Sequence, residues 1–330
     1  MQSARMNRKA QPLIGESGAF LETLEQVSRA AELNRPILVV GERGTGKELI
    51  AERLHFLSPR WDQPLVKLNC AAISPSLLES ELFGHEAGAF TDAGSRRIGR
   101  FEQADGGTLF LDELATTSST VQEKILRIIE YGEFERLGSS RTLSIDVRVV
   151  GATNDDLPGL AAEGRFRHDL LDRLSFDVIT LPPLRQRPED IVPLAEHFAI
   201  RMSREMGREL FAGFSNIALS QLAEHAWPGN VRELKNVVER AVYRNPAPEK
   251  PVRALQLDPF DSPWRPRRAS GLHNDGPKQL PADLRGWLDE QERSVVERAL
   301  SEAGGRRKRA AERLGLSYDQ LRGILRKHSL

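Results

Sequence analysis

The sequence has a single cysteine, Cys70, in 330 residues, which excludes an internal disulfide framework and a cysteine-built zinc site. Its seven histidines, His168 among them, show no metal-ligand spacing and are expected to be structural. Apolar runs are short, as in Ile37–Val40, whereas a membrane-spanning helix needs about 20 such residues, so no membrane insertion is expected. The basic start MQSARMNRKAQ is followed by no apolar segment, so no secretory signal is expected and the expected location is cytoplasmic. Net charge is also missing: 47 Lys and Arg balance 47 Asp and Glu, so any polyanion contact must be local. What is present is a soluble globular composition, 39% hydrophobic and 28% charged, with length for about two domains.

From Leu13 to about Arg244, short apolar runs alternate with amphipathic helical patterns. Ile37–Val40, Leu65–Leu68, Thr108–Leu111 and Ile145–Val150 read as strands, and the segments between them as helices, which argues for a mostly parallel α/β sheet covered on both faces. After Leu181-Pro182-Pro183 only helical patterns remain. The expected division is an extension over 1–12, an α/β domain over 13–181 and a helical subdomain over 182–244. A Pro- and Gly-rich linker over 245–281 and a helical unit over 282–330 complete it.

Gly41-Glu42-Arg43-Gly44-Thr45-Gly46-Lys47 follows a strand directly and opens a helix, the context that G-x-x-x-x-G-K requires of a phosphate loop. Glycines let backbone amides approach phosphates, the helix N-terminus adds partial positive charge, and Lys47 would add a full one. Glu48 stands where the general motif has Ser or Thr for magnesium. Gly107–Glu113 is an apolar strand ending in two acids, placed at the sheet edge where open α/β folds bind ligands. Asp112 would hold Mg2+, and Glu113 would act as general base on the attacking water.

GERGTGKE at 41–48, GHEAGAFTDA at 84–93, the Gly107–Glu113 strand and WPGNVRELKN at 227–236 together resemble the bacterial enhancer-binding activators of sigma-54 RNA polymerase. The resemblance covers essentially the whole chain and is most similar to the phage shock branch of that family. It implies an AAA+ P-loop ATPase with a helical lid, in which Glu is the usual residue at position 48. It also implies that Asn69 holds Glu113 inactive until nucleotide engages, and that Thr153-Asn154 sense the γ-phosphate. Arg167 and Arg173 match fingers reaching a neighbouring subunit's site, and Arg232 matches a second sensor on the lid. A trans arginine makes hydrolysis depend on assembly, so a homo-hexameric ring is implied.

The loop Gly88-Ala89-Phe90-Thr91-Asp92-Ala93 resembles the family's sigma-factor contact, whose pattern has Gly where Asp92 stands. Asp tolerates positive φ at some cost and adds a negative charge, so either sigma contact is altered or the loop is impaired, and impairment is the expectation.

The last 25 residues carry Arg306, Arg307, Lys308, Arg309, Arg313, Arg322, Arg326 and Lys327 against only Glu312 and Asp319, a net charge of +6. Residues 307–327 resemble a Fis-type helix-turn-helix, with Gly315-Leu316-Ser317 as the turn and Ser317 as N-cap. In it Tyr318, Asp319, Gln320, Arg322 and Arg326 lie on the recognition helix, and the basic cluster would bind phosphates. The preceding helix is expected to support dimers. Trp61 could dock a partner, but a half-buried packing role is expected, and Cys70 is expected in the core.

Together these point to an ATP-hydrolysing activator that binds upstream activating DNA and remodels sigma-54 RNA polymerase holoenzyme at closed promoters, with ATP and Mg2+ as cofactors. About a dozen residues precede the ATPase, so regulation is expected in trans, and the resemblance suggests an inhibitor of phage shock protein A type. Two rivals stay open: a DNA- and nucleotide-binding regulator with a disabled contact loop, and a general AAA+ remodelling ATPase whose tail binds protein.

Overall fold

A computed structural model describes residues 12–90, 95–262, 264–265, 283–304 and 306–328. The chain divides after Pro259 into two compact units. The first runs α1 (Gly18–Ala31), β1 (Ile37–Val40), α2 (Lys47–Phe56), β2 (Leu65–Asn69), α3 (Pro75–Phe83), β3 (Gly84–His85), β4 (Arg97–Ile98), α4 (Arg100–Gln103) and β5 (Thr108–Asp112). It continues with α5 (Ser119–Tyr131), β6 (Glu133–Glu135), β7 (Thr142–Ser144), β8 (Arg148–Thr153), α6 (Leu157–Ala162), α7 (His168–Leu174) and β9 (Val178–Thr180). The helices α8 (Ile191–Glu205), α9 (Asn216–Glu224) and α10 (Asn230–Arg244) close it.

Five strands form a parallel sheet in the order β2-β5-β8-β1-β9. Alternation along each strand divides the core. Ile37, Val39, Phe110 and Val150 pack with Val27, Ile50 and Leu54 on one face. Leu38, Leu109, Leu111 and Val149 pack with Leu78, Val121, Ile125 and Leu170 on the other. Helix starts follow local chemistry: Ser17, Ser118 and Ser215 each accept a hydrogen bond from a first-turn amide, and α5 ends at the left-handed Gly132. The buried Arg148 on β8 donates to the carbonyls of Ala30, Ala31 and Arg35, satisfying the C-terminal end of α1.

Two features had no signal in the sequence pattern. β3 and β4 pair antiparallel, so the loop carrying Gly88, Ala89 and Phe90 rises from a two-stranded stem. β6 and β7 form a second hairpin beside it. The stretch 245–281, expected as linker throughout, packs on the lid in its first part. Val252 and Leu255 are buried there, and Val252 exchanges backbone bonds with Gly213 and Ser215. The prolines forbid a helix but allow this extended pairing. Trp61 also differs from expectation: at 63% exposure it stands out from the surface rather than packing half-buried.

The lid core surrounds Trp227, which is fully buried at positive φ with Nε1 donating to Leu222 O at 2.9 Å. Trp227→Ala should lower stability by about 3–5 kcal/mol, read as a falling denaturant midpoint; an unmoved midpoint would contradict this packing.

The second unit holds α11 (Leu284–Glu302), α12 (Arg307–Arg313) and α13 (Tyr318–Lys327). Val296, Ala299, Ala310, Ala311, Leu321 and Leu325 form its core, the small alanines letting the helices approach. Gly315 takes a left-handed φ of 66° in the turn.

Candidate functional site

The phosphate loop leaves β1 with the Gly41 amide donating to Thr153 O, and passes into α2 at Gly46 with φ 105°. Among the first-turn amides of α2, that of Leu49 donates back to Gly46 O at 3.0 Å, and a helix start has no intrahelical acceptor for those of Lys47 and Glu48. Lys47 is buried, and its Nζ donates to the carbonyls of Gly41 at 2.8 Å and Glu42 at 3.3 Å. Burial pushes its pKa down, opposed by the charges of Glu113 and Asp112. A partly dehydrated ammonium held by two carbonyls is ready to exchange them for anionic oxygens.

At the ends of β5 and β8 stand Asp112, Glu113, Thr153 and Asn154. Asp112 Oδ1 accepts from the Glu113 amide at 3.0 Å, and Oδ2 from Asn69 Nδ2 at 3.2 Å. Glu113 sits at φ 53°, a left-handed conformation that costs a non-glycine residue and occurs at functional sites. Arg43 Nε lies 3.8 Å from its carboxylate. The Asn154 amide satisfies its neighbours only with its nitrogen toward Glu113, donating to Oε2 at 2.6 Å and Oε1 at 3.1 Å.

This geometry differs from one expectation. Asn69 does not hold Glu113: its amide nitrogen meets Asp112, and its oxygen accepts from the amides of Ala71 and Ala72. Of the Thr153-Asn154 pair, Thr153 is fully buried with its hydroxyl accepting from the Asp155 amide, and Asn154 reaches Glu113. Glu48 is drawn to Lys67, whose Nζ lies 2.9 Å from it and also bonds Glu52.

The lid closes over the loop. Arg185 grips the Glu42 carboxylate at 2.6 and 2.8 Å, and Asn230 Nδ2 adds a bond at 3.0 Å. Those bonds hold the Glu42 pKa at about 2, below its ordinary 4.5. The contact is therefore complete above pH 4.5 and lost as pH falls toward about 2. Arg232 sits exposed two residues beyond Asn230 and acts on Lys47 through its charge. Sequence reasoning missed an open, largely apolar cleft behind the loop, lined by Ile14, Leu49, Leu181, Leu194, Phe198 and Val231 with His197 and Arg201. Burial, then the charge of Arg201, lowers the His197 pKa.

Arg167 pairs with Asp169 at 2.7 and 3.0 Å, and Arg173 with Glu130 at 2.8 Å. Both side chains are substantially exposed. Phe90 is exposed and meets His85 edge-on at 5.0 Å. Thr91, Asp92 and Ala93 lie outside the described residues. The second hairpin buttresses this stem, with the Glu86 amide donating to Leu137 O and the buried Arg136 bonded to Glu86 and Glu102.

In the second unit, Ser317 and Gln320 form a reciprocal capping box that starts α13. Arg306, Arg307, Lys308, Arg309, Tyr318, Asp319, Gln320, Arg322 and Arg326 are all exposed. Lys327 instead turns back to Asp289 and Glu292 of α11. Among the described residues, no helix is long and apolar enough to cross a membrane.

Residues 13–180 match the Sigma-54 interaction domain family, 185–261 the AAA+ ATPase lid domain, and 288–328 the Fis family of bacterial regulatory proteins. The chain is 55% identical over 318 residues to the Psp operon transcriptional activator of Escherichia coli (strain K12), spanning 96% of this chain and 98% of that protein. It is 45% identical over 309 residues to the Nif-specific regulatory protein of Azotobacter vinelandii, spanning 94% of this chain but 57% of the relative. The solved structure of NtrX from Brucella abortus in complex with ATP matches with a TM-score of 0.70 at 34% identity, over 97% of this chain and 70% of that one. With a match that runs through phosphate loop, paired acids, lid and terminal helices alike, the chain belongs to the sigma-54-dependent transcriptional activators, AAA+ proteins carrying a Fis-type DNA-binding helix-turn-helix.

Proposed function

We propose that this chain hydrolyses ATP in a homo-hexameric ring and uses the energy to remodel closed complexes of sigma-54 RNA polymerase holoenzyme, while residues 306–327 hold it on upstream DNA. The observation that carries this reading is the convergence of Lys47, Asp112, Glu113 and Asn154 at one edge of the parallel sheet. The apolar cleft beside the loop suits an adenine ring. NtrX, solved with ATP and with ADP, supports the nucleotide assignment.

Asp112 suits Mg2+, because its two oxygens each accept one recorded bond and an ionised carboxylate has about four acceptor sites. The ion would offset phosphate charge there. Glu48, engaged by Lys67, leaves that role to Asp112. Glu113 takes a proton from the attacking water, and Asn154 fixes its carboxylate for that transfer. Arg167 and Arg173 exchange Asp169 and Glu130 for the site of a neighbouring subunit, where their charge stabilises the transferred phosphoryl group. Phe90 and Thr91 carry the change to the sigma factor, and α11 supports pairing of the DNA-binding units.

Similarity to the Psp operon activator over nearly its full length makes the phage shock operon the proposed target and a phage shock protein A type inhibitor the proposed regulator. Exposed Trp61 offers a protein partner a docking point.

Two measurements test this reading. On a duplex sigma-54 promoter, holoenzyme should open DNA only with this chain and hydrolysable ATP; opening without ATP contradicts it. Mixing Arg167→Ala with Lys47→Ala subunits should restore part of the lost hydrolysis, since one partner keeps the finger and the other the site. Inactivity at every ratio would remove the shared site.

A further inference from the structure

A carboxylate inside a loop that cradles phosphates is electrostatically out of place, and Glu42 is such a group. Its surroundings account for it. Arg185 Nη1 and Nη2 donate to its two oxygens in the bidentate fork that gives such pairs direction as well as charge balance. Asn230 Nδ2 donates both to Glu42 Oε2 at 3.0 Å and to Arg43 O at 3.1 Å, while its Oδ1 accepts from the Leu184 amide at 2.7 Å. Arg187 Nη2 donates to Thr45 O at 3.2 Å. Glu42, Arg43 and Thr45 are thus each held from outside by a lid group.

The approach of loop and lid is also close. A Cβ on Gly44 would lie 2.4 Å from Gly229 O and 3.0 Å from Arg232 Cβ, so only glycine lets the two backbones meet there. Asn230 itself is fully buried at φ 52°, three residues after Trp227 at φ 50°. Strained, buried, non-glycine backbone persists where surroundings over-determine it, and here what it presents is the Asn230 amide to the phosphate loop.

We propose that Glu42 is not a nucleotide ligand but a positioning residue that anchors the phosphate loop to the lid, with Arg185 serving to cancel its charge before a polyanion enters. This rests on the reading that the loop holds ATP phosphates. Loop and lid then move as one body, and Arg232 follows the phosphates without a separate search. The sequence motif assigns Glu42 to the nucleotide because it lies within the loop; the contacts turn it the other way.

The inference gives a sign that direct binding would not. Arg185→Gln leaves a bare carboxylate near the phosphates and should weaken ATP binding by about tenfold at low salt, the defect shrinking as salt rises. Glu42→Gln loses one charge-assisted contact and should weaken it by about threefold. The double variant should bind about as tightly as Glu42→Gln, and so better than Arg185→Gln alone, since the offending charge is gone.

The experiment is a titration of the full chain and these three variants with a fluorescent ATP analogue at two salt concentrations, each variant checked for an unchanged melting transition. Rescue by the second substitution supports the anchor. A double variant as weak as Arg185→Gln would make Arg185 a direct ligand and overturn it. An unmodified chain that binds no analogue would overturn the nucleotide reading itself, a result separate from a failed rescue.

Discussion

Glu113→Gln should leave ATP bound and slow its hydrolysis by about 100- to 1,000-fold, the usual worth of a positioned general base. Glutamine keeps the shape and one carbonyl oxygen, so the contact with Asn154 survives and the strained backbone at φ 53° is undisturbed. What is lost is the group that takes the proton. Nucleotide titration against phosphate release separates the two effects. A variant with normal turnover would move the base elsewhere, and one that no longer binds ATP would make Glu113 a binding residue instead.

Lys47→Ala should abolish measurable nucleotide binding, an affinity loss of at least about 100-fold. Removing the ammonium takes away the only lysine placed within the loop and also two internal bonds, to the carbonyls of Gly41 and Glu42. Those carbonyls would then face incoming phosphates with nothing to offset them. The fold should persist, because losing a partly dehydrated charge costs a protein little by itself. Unchanged ATP affinity in a folded Lys47→Ala protein would reject this loop as the phosphate site.

Some of this was legible because it is local. Gly41–Lys47 and Gly107–Glu113 declare themselves by residue type at fixed spacing beside a strand, and the parallel sheet follows from alternating strand and helix runs. Ser317 after the turn glycine, read as an N-cap, likewise announces the start of α13, and the structure adds its reciprocal bond with Gln320. The apolar cleft was hidden because it gathers residues from near 14, 49, 181, 194 and 231, which no window along the chain brings together. The β3–β4 stem is two residues per strand, too short for any periodicity to register. Which acid Asn69 meets depends on the register of β2 against β5, where Asn69 pairs with Asp112 and not with its neighbour. The packing of Val252 and Leu255 was masked by the prolines around them, which forbid helix but not extended pairing.

The central claim is that ATP turnover at this site is coupled to sigma-54. Its most direct test is capture of purified sigma-54 factor by this chain under ADP–aluminium fluoride, a mimic of the hydrolysis transition state, beside the Asp92→Gly and Lys47→Ala variants. The account predicts a stable complex with the unmodified chain, at least as much with Asp92→Gly, and none with Lys47→Ala. Capture by Asp92→Gly alone would contradict it, leaving a family ATPase whose contact loop is disabled.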